Sequence, residues 1–409
     1  MDVCVLGAGV VGLTTAYELS RQGMRVVVVD RAMPGAGASG ANGAQLSYSY
    51  VQPLADASIW MQLPKLLLSS DSPLKLRPQW DPQQWRWGLS FMRACNARAS
   101  RRTTAKLLAL ATLSRAAFDR MLSTDSPHCD YSSNGKLVLY PSAGTFEAAQ
   151  RQMALQQRLG SQQSAMTAQT CCELEPALQH YRSRIAGAIY TRSECAVDCQ
   201  KLCDELVRLL RLRGVQFALG ANVDALTMHQ GRVVAARCAS NLIEARHFVL
   251  ALGSDSTAMA RSVGVRLPVY PIKGYSMTLD IAHAGQHDAP RVNVTDIARK
   301  VVFARIGSRL RVAGMAELVG HDCSVRPQAI DSLRRTTTTL FPNLKLDQGR
   351  DNRPWAGLRP ATPTGLPIVG MQPGGPANLA INTGHGALGL TLAFGTAHQV
   401  TQELMRARA

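Results

Sequence analysis

The chain has 409 residues, of which 46% are hydrophobic and 18% charged, a composition that excludes a collagen-like, a disordered or a small disulfide-rich protein. No apolar run in the sequence approaches the ~18 residues that a membrane-spanning helix needs. Lysine and arginine number 45 against 28 acidic residues, and the resulting net charge of +17 indicates anionic partners or a basic surface without a specific partner.

The first thirty residues follow the pattern of a dinucleotide-binding unit. Residues 2–6 predict a buried strand, and residues 7–12 form a G-x-G-x-x-G motif. Residues 13–22 predict a helix, and the valines at 26–29 predict a second strand that is covered on both faces. The motif alone does not distinguish NAD from FAD.

Each glycine of this motif has a physical role. Gly7 permits the tight turn, Gly9 lets the backbone approach a pyrophosphate, and Gly12 lets helix and strand pack closely. Asp30 closes the second strand, where its carboxylate can accept hydrogen bonds from a ribose and disfavours a 2′-phosphate.

Between residues 31 and 120 the sequence predicts first a loop and then helices. Residues 31–50 are rich in Gly, Ala and Ser, which indicates a loop that closes over a ligand. Residues 59–120 are strongly basic and predict a largely helical segment. This segment contains the tryptophans Trp60, Trp80, Trp85 and Trp87. Tryptophan beside lysine and arginine is typical of a membrane interface, and a helical cap with a solvated basic face is the alternative.

The rest of the chain alternates strands and helices. Strands are predicted at 135–140, 185–190, 215–217, 232–236, 244–250, 269–279, 300–305, 309–313 and 378–382. Helices are predicted at 146–159, 199–213 and 327–340, with a last one after residue 389. The strands 232–236 and 244–250 are expected to pair, while 248–254 returns to the first sheet and brings Gly253 near the cofactor phosphates. Residues 355–370 predict a loop-rich stretch.

This order of elements predicts an α/β protein with a discontinuous architecture. A Rossmann-like cofactor domain is expected to comprise residues 1–50, 195–268 and 350–409, interleaved with an antiparallel-sheet substrate domain at 51–194 and 269–349. Because glycine-rich turns at both chain ends point backbone N–H groups at a ligand, an extended cofactor such as FAD fits better than NAD.

The ten cysteines include no C-x-x-C pair, so no metal site is predicted from the usual zinc spacings. Cys195, Cys199 and Cys203 are expected on one stripe of a helix, where packing is favoured over a metal cluster. Unpatterned thiols indicate a reducing compartment. With no basic segment and apolar stretch at the N-terminus, the sequence predicts a cytoplasmic protein, with the inner membrane face as an additional location.

Six stretches together resemble the D-amino acid dehydrogenase (small subunit) branch of the FAD-dependent D-amino acid oxidase superfamily. They are 7–12 with Asp30-Arg31, 39–47, 269–276, 314–320, 357–363 and 382–386. The resemblance runs along the whole chain and implies a D-amino acid oxidase-like fold with non-covalent FAD. It also implies an amino-acid substrate, oxidative deamination, and electron transfer to a quinone or another carrier at the membrane.

The resemblance also implies positions for the cofactor. The predicted cofactor-binding residues are Gly7, Gly9, Val10, Val11, Gly12, Asp30, Arg31, Ser39, Asn42, Gly43, Gln45, Leu46, Val223, Gly253, Gly357, Gly384, His385, Gly386, Ala387, Leu388 and Gly389. Asp30 and Arg31 are expected at the adenosine ribose, and Val223 at the adenine. The last helix N-terminus would stabilise negative charge on the reduced flavin.

Arg359 matches the arginine that binds the substrate carboxylate in such relatives, and a structural salt bridge is the alternative role. Relatives also place a tyrosine near residues 300–303, where this chain has none. Tyr275, Tyr48 or Tyr50 is expected to substitute, or the substrate differs. His385 is expected either to contact flavin or substrate or to make a structural hydrogen bond.

The mechanism expected from this resemblance is hydride transfer from the substrate Cα to flavin N5, followed by hydrolysis of the imino acid to a 2-oxo acid and ammonia. One alternative is an oxygen-dependent oxidase of glycine, sarcosine or a cyclic imino acid such as D-hydroxyproline. Others are a catalytically quiet flavoprotein subunit and a basic nucleic-acid binder. The last lacks zinc spacings, a recognition-helix pattern and aromatic strand motifs, so no nucleic acid is predicted as a partner.

Overall fold

The structure is a computed structural model that describes residues 1–49, 51, 55, 74–158, 160–285, 287–344, 346 and 353–408. The strands are β1 Val3–Leu6, β2 Val26–Asp30, β3 Gln45–Leu46, β4 Leu74–Leu76, β5 Lys136–Tyr140, β6 Ser164–Met166, β7 Gly187–Thr191, β8 Cys195–Ala196, β9 Gln216–Leu219, β10 Ala225–His229, β11 Arg232–Cys238, β12 Asn241–Glu244, β13 His247–Leu250, β14 Tyr270–Asp280, β15 Asn293–Asp296, β16 Val301–Ile306, β17 Arg309–Leu318, β18 Trp355–Ala361, β19 Ile368–Met371 and β20 Leu379–Thr383.

The helices are α1 Val10–Arg21, α2 Pro82–Ala94, α3 Ala97–Asp125, α4 Ala143–Gln157, α5 Ala168–Leu174, α6 Cys199–Leu212, α7 Ser256–Ser262, α8 Pro327–Leu340 and α9 Gly389–Arg408. Short 3₁₀ turns lie at Pro176–Arg184, Gly253–Asp255 and Gly386–Leu388. Their ends follow local rules: Asp198 caps α6 by accepting hydrogen bonds from two backbone N–H groups, and proline begins α2 and α8.

The first sheet has the strand order β19–β20–β13–β1–β2–β9. The central strands run parallel, and β19 is antiparallel to β20. The residues of β1 alternate between two hydrophobic clusters, one shared with α1, α6 and α9, the other with β10–β12 and α7. Burial on both faces is the physical reason why these strands are almost wholly apolar. The predicted return of 248–254 to this sheet is confirmed, since β13 pairs with β1.

The second sheet has the order β18–β14–β17–β16–β15–β5–β7–β6, with β4 beside β17. Its strand pairs are antiparallel except β5–β15 and β4–β17, so the predicted mostly antiparallel sheet is confirmed. Helix α8 packs on β14 and β17 and covers one face. The opposite face is turned towards the first sheet, so the two sheets enclose the space in which the candidate site lies.

Two predicted features of the strands are wrong. Residues 232–236 do not pair with 244–250 as a whole: β11 pairs with β10 and β12, while β13 joins the first sheet. The predicted loop-rich stretch 355–370 is mostly strand, because β18 pairs with β14 along its length and β19 with β20, and only residues 362–367 between them form a loop. Prolines are tolerated in β18 because it is an edge strand with one partner. Strand β18 belongs to the second sheet, whereas its residues fall within the predicted cofactor domain 350–409. The predicted division into domains stays a prediction.

The predicted basic helical segment is confirmed as α2 and α3 where the structure describes it, and Trp60 lies outside the described residues. Trp80 and Trp85 are exposed. Trp87 is buried, stacks on Phe91 and donates its indole N–H to the Ala361 carbonyl at 2.8 Å, so it is a packing residue. None of the helices in the described part combines the length and the apolarity that crossing a bilayer requires.

The cysteine stripe is corrected in one position. Cys195 lies in β8, and Cys199 and Cys203 follow on α6. Every cysteine except Cys323 is buried. Within the described residues no group of three or more His, Cys, Asp or Glu side chains is arranged to hold a metal ion.

Candidate functional site

A cavity of about 1310 Å³ lies between the carboxyl ends of the first sheet's parallel strands and the open face of the second sheet. Ligands of open α/β sheets bind at this edge of the strands. The volume exceeds the upper end of the ~300–1,000 Å³ range of small-molecule pockets, as an extended ligand requires.

Most predicted cofactor residues line this cavity. They are Gly7, Gly9, Val10, Val11, Asp30, Arg31, Ser39, Asn42, Gly43, Gln45, Val223, Gly253, Gly357, His385, Gly386, Ala387, Leu388 and Gly389. Gly12, Leu46 and Gly384 are not on the wall: Gly12 packs against the turn at Gly7, and Leu46 is buried in the hydrophobic core. The roles of these residues stay predictions.

The turn between β1 and α1 fits a dinucleotide pyrophosphate. Gly7 has a φ of 113°, a left-handed conformation that glycine adopts readily. Helix α1 begins at Val10 with no acidic side chain in its first turn, so its positive end remains available to an anion. The Val10 N–H donates to the Ser39 hydroxyl at 3.0 Å, which ties the following loop to this helix.

At the end of β2 the Asp30 carboxylate is held by backbone N–H groups. Its two oxygens accept hydrogen bonds from Ala8 at 2.6 Å and Ala32 at 2.9 Å. An ionised carboxylate has about four lone-pair sites, so acceptor capacity remains for a ribose. Arg31 donates to Asp255 at 2.7 Å across the rim of the cavity, and this pair is largely exposed.

The loop that carries Asn42 and Gln45 is fastened to the second sheet. Arg311 donates to the Asn42 carbonyl at 2.8 Å, and Ser276 donates to the Ala41 carbonyl at 2.6 Å. The Gln45 side chain donates to the Phe303 carbonyl at 3.1 Å. Since this loop also reaches the α1 N-terminus through Ser39, it connects the pyrophosphate end with the second sheet.

The last strand and helix approach the same loop from the C-terminal side. The Ser47 N–H donates to the Thr391 hydroxyl in the first turn of α9 at 3.0 Å. His385 is buried, shares a hydrogen bond of 3.0 Å with Thr396, and has its pKa lowered to about 3 by burial. The imidazole is therefore neutral, and its bond to Thr396 fits the expected structural role. Because His385 also lines the cavity, it could in addition contact a bound flavin or substrate.

Arg359 projects from β18 into the cavity. Its guanidinium lies directly across Gly274, where any Cβ would overlap it, and its Nη1 donates to the Met315 carbonyl at 2.8 Å. Burial lowers its pKa to about 10, so the group is charged at neutral pH. No described carboxylate forms an ion pair with it, so the structural salt bridge expected as the alternative is absent from that part of the chain.

The three candidate tyrosines differ in their placement. Tyr275 lines the cavity, but its hydroxyl donates to Glu317 at 2.8 Å, and burial followed by this carboxylate raises its pKa. Tyr48 is buried away from the wall beneath the Arg115 guanidinium. Tyr50 lies outside the described residues.

Lys136 is a wall residue that sequence reasoning missed. It is buried at the start of β5, where its ammonium donates to the Ser47 hydroxyl at 2.9 Å. Burial lowers its pKa to about 8, and the charge of Glu194 opposes this shift. A lysine at the head of the apolar stretch Lys136–Tyr140 is the signal that could have revealed it.

We expect Lys136→Met to gain stability relative to the wild type as the pH falls from about 10.5 to about 8. The pKa of Lys136 is about 8 in the folded chain against 10.5 ordinarily, so between these values the unfolded chain binds more protons and wild-type stability rises with pH. Below about pH 8 the charged lysine therefore lowers the free energy of unfolding by up to roughly 3 kcal/mol, and this loss disappears as the pH rises from 8 to 10.5. Urea unfolding at pH 7, 9 and 10.5 measures the difference between the two proteins. A difference that stays constant with pH would contradict the prediction.

Comparisons with known proteins match the whole length of this chain. Residues 2–403 match the DAO family of FAD-dependent oxidoreductases. The D-amino acid dehydrogenase 2 of Ralstonia nicotianae is 45% identical over 405 residues, covering 97% of this chain and 95% of that protein. The D-amino acid dehydrogenase 2 of Pseudomonas aeruginosa is 43% identical over 410 residues, covering 99% and 95%.

Solved structures share the fold at low identity. Glycine oxidase from Geobacillus kaustophilus has a TM-score of 0.77 at 20% identity, covering 99% of this chain and 94% of its own. L-proline dehydrogenase from P. horikoshii has a TM-score of 0.74 at 15% identity, covering 99% and 93%. The predicted α/β fold class with a Rossmann-like cofactor unit and the predicted FAD cofactor are confirmed by these matches. The chain therefore belongs to the FAD-dependent oxidoreductase family.

Proposed function

We propose that this flavoenzyme oxidises D-amino acids to 2-oxo acids and ammonia. The observation that carries the proposal is the Arg359 guanidinium, which faces the cavity without an acidic partner among the described residues. A fork of N–H donors at such a position suits the carboxylate of an amino acid. The relatives with 45% and 43% identity, both named D-amino acid dehydrogenase 2, support this substrate class.

The residues that would hold FAD line the cavity, and different groups of them would hold different parts of the cofactor. The turn at Gly7 and Gly9 would hold the pyrophosphate, Asp30 would hold the adenosine ribose, and the loop with Asn42 and Gln45 would hold the flavin. When bound, FAD supplies the acceptor for the hydride that leaves the substrate Cα.

The chain itself contributes orientation and charge. Arg359 would bind the α-carboxylate through two hydrogen bonds and so fix which face of Cα is turned towards the cofactor. Positive groups at this end of the cavity, including Lys136, disfavour the protonated form of a substrate amine. The amine therefore loses its proton more readily in the site than in water, and the imino acid formed by hydride loss then hydrolyses in water.

Anaerobic reduction of the bound flavin tests this function. We expect D-amino acids to bleach the flavin absorbance and L-amino acids to leave it unchanged, with a rate that rises between about pH 6 and 9 as the amine deprotonates. Bleaching by L-amino acids alone, or by neither series, would refute the proposal.

We further propose that the electrons pass to a quinone or another carrier at a membrane surface. Exposed Trp80, Trp85 and Leu89 lie beside Arg86 and Arg93 on and next to α2, and such a surface suits an anionic bilayer. In a second step of the same experiment, the reduced protein is mixed either with oxygen or with a quinone in anionic vesicles. Faster reoxidation by the quinone supports this acceptor, and faster reoxidation by oxygen contradicts it.

A further inference from the structure

The two ends of the cavity carry different charged side chains, with Arg31 and three carboxylates together at one end. The carboxylates on the wall, Asp30, Asp224 and Asp255, lie near the ends of the first sheet's strands. At the end formed by the second sheet, the charged wall residues in the described part of the chain are Lys136, Lys300 and Arg359, with no carboxylate among them. This end of the cavity therefore accepts more than one negative charge.

Two of these three cations already have a role or a partner. Lys136 donates to Ser47 and feels the charge of Glu194. Arg359 is assigned to the substrate α-carboxylate under the proposed function. Lys300 is an exposed residue that forms no ion pair or side-chain hydrogen bond with any residue that the structure describes, and partial burial lowers its pKa.

Lys300 closes the turn between β15 and β16. Its φ is 54°, a left-handed conformation that glycine or asparagine adopts with less strain than lysine. Ala44 and Met315 share this conformation and line the cavity, whereas Ser126, Asp130, Gln230 and Ala239 share it elsewhere. An asparagine is therefore a suitable replacement for Lys300 in a test.

Strands β14 and β17 separate Arg359, on β18, from Lys300, which precedes β16. The Arg359 guanidinium crosses Gly274 of β14 and reaches the Met315 carbonyl on β17. Lys300 directly precedes β16, the next strand beyond β17, where Val301 pairs with Gly314. Neighbouring strands are about 4.8 Å apart, so roughly one to two strand spacings separate the guanidinium from the start of β16. A dicarboxylate together with the flexible lysine side chain can bridge this separation.

We propose that Lys300 binds the side-chain carboxylate of an acidic D-amino acid, which makes D-glutamate and D-aspartate the preferred substrate class. This inference rests on the proposed function, because it takes the α-carboxylate to be bound by Arg359. A second carboxylate at Lys300 would complete the charge balance at this end of the cavity.

The test compares D-glutamate with D-glutamine, which has nearly the same shape and no side-chain charge. Anaerobic flavin reduction gives kcat/KM for both substrates. We expect the wild type to favour D-glutamate by about 10- to 100-fold, as a charged hydrogen bond predicts. This ratio should fall towards one in Lys300→Met and be retained in Lys300→Arg. Lys106→Met, on the exposed face of α3, is the matched control that keeps the wild-type ratio.

A second variant and a binding measurement separate specificity from misfolding. Lys300→Asn suits the left-handed backbone, so it should fold and also lose the preference. Glutarate, a dicarboxylate that cannot be oxidised at an amine, should perturb the flavin spectrum of the wild type at concentrations at least about 10-fold lower than in Lys300→Met.

The outcomes distinguish this inference from the function on which it rests. If neutral D-amino acids reduce the flavin but Lys300→Met leaves the ratio and the glutarate affinity unchanged, the role of Lys300 is overturned and the proposed function stands. If no D-amino acid reduces the flavin, the proposed function itself fails.

Discussion

Replacing Arg359 by alanine is expected to lower kcat/KM for D-alanine by roughly 100- to 1,000-fold, since losing one partner of a buried charge pair costs about 3–4 kcal/mol. The guanidinium is held over Gly274 by its bond to the Met315 carbonyl, and burial has already removed much of its water. A desolvated cation gains more from a carboxylate than one in water, because fewer water contacts are given up on binding.

The measurement that isolates this effect compares D-alanine with D-alaninamide, which lacks the carboxylate. The wild type should strongly favour the acid, and the variant should treat the two alike. The melting temperature of Arg359→Ala should not fall below that of the wild type, because the substitution removes a charge that has no acidic partner in the described residues. Arg208→Ala, on an exposed pair with Glu205, serves as the control. If the variant keeps both FAD and full activity on D-alanine, Arg359 does not bind the substrate carboxylate.

Gly9→Ala and Gly12→Ala are expected to fail in different ways. A Cβ at Gly12 would overlap the Gly7 carbonyl oxygen, which is rigid backbone, so Gly12→Ala should not yield folded protein. Gly9 has φ −73° and ψ 172°, which alanine adopts freely, and its Cβ would meet only the Ser39 hydroxyl at 3.3 Å. The protein carrying Gly9→Ala should therefore fold.

That folded protein should bind FAD poorly, because the new methyl group points into the cavity where the pyrophosphate would approach the backbone. We expect an affinity loss of about 100-fold or more, corresponding to roughly 3 kcal/mol of lost hydrogen bonding. The ratio of flavin absorbance to protein absorbance after purification measures the occupancy, and far-UV circular dichroism measures the fold. A Gly9→Ala protein with the wild-type flavin content would show that the pyrophosphate does not pass this turn.

The elements that sequence reasoning predicted well are those whose signals are local. Residues 2–30 contain a buried strand, a glycine turn, a helix and a second buried strand, and each is dictated by neighbours within a few positions. The pairing of 232–236 with 244–250 was wrong because residues 247–250 pair instead with β1, which lies far away along the chain. The strand β18 was missed for a related reason: its glycines and prolines indicate a loop, yet pairing with β14 outweighs this preference.

The candidate site shows the same division. Arg359 and the glycines of the first turn stand in motifs, so they could be predicted. For Lys136 the only local signal is its place at the head of an apolar strand, and Lys300 has none, because a lysine in a turn carries no sign of facing a cavity until distant strands come together.

An α/β cofactor-binding unit at the start of the chain and an arginine suited to a carboxylate near its end could be predicted from the sequence, because hydrophobic periodicity, glycine spacing and motif residues are local signals. The grouping of cations at one end of the cavity, without a carboxylate among the described residues, became visible only in the folded chain. Charge interactions depend on distance through space, and strands far apart in sequence become neighbours only when the sheet forms.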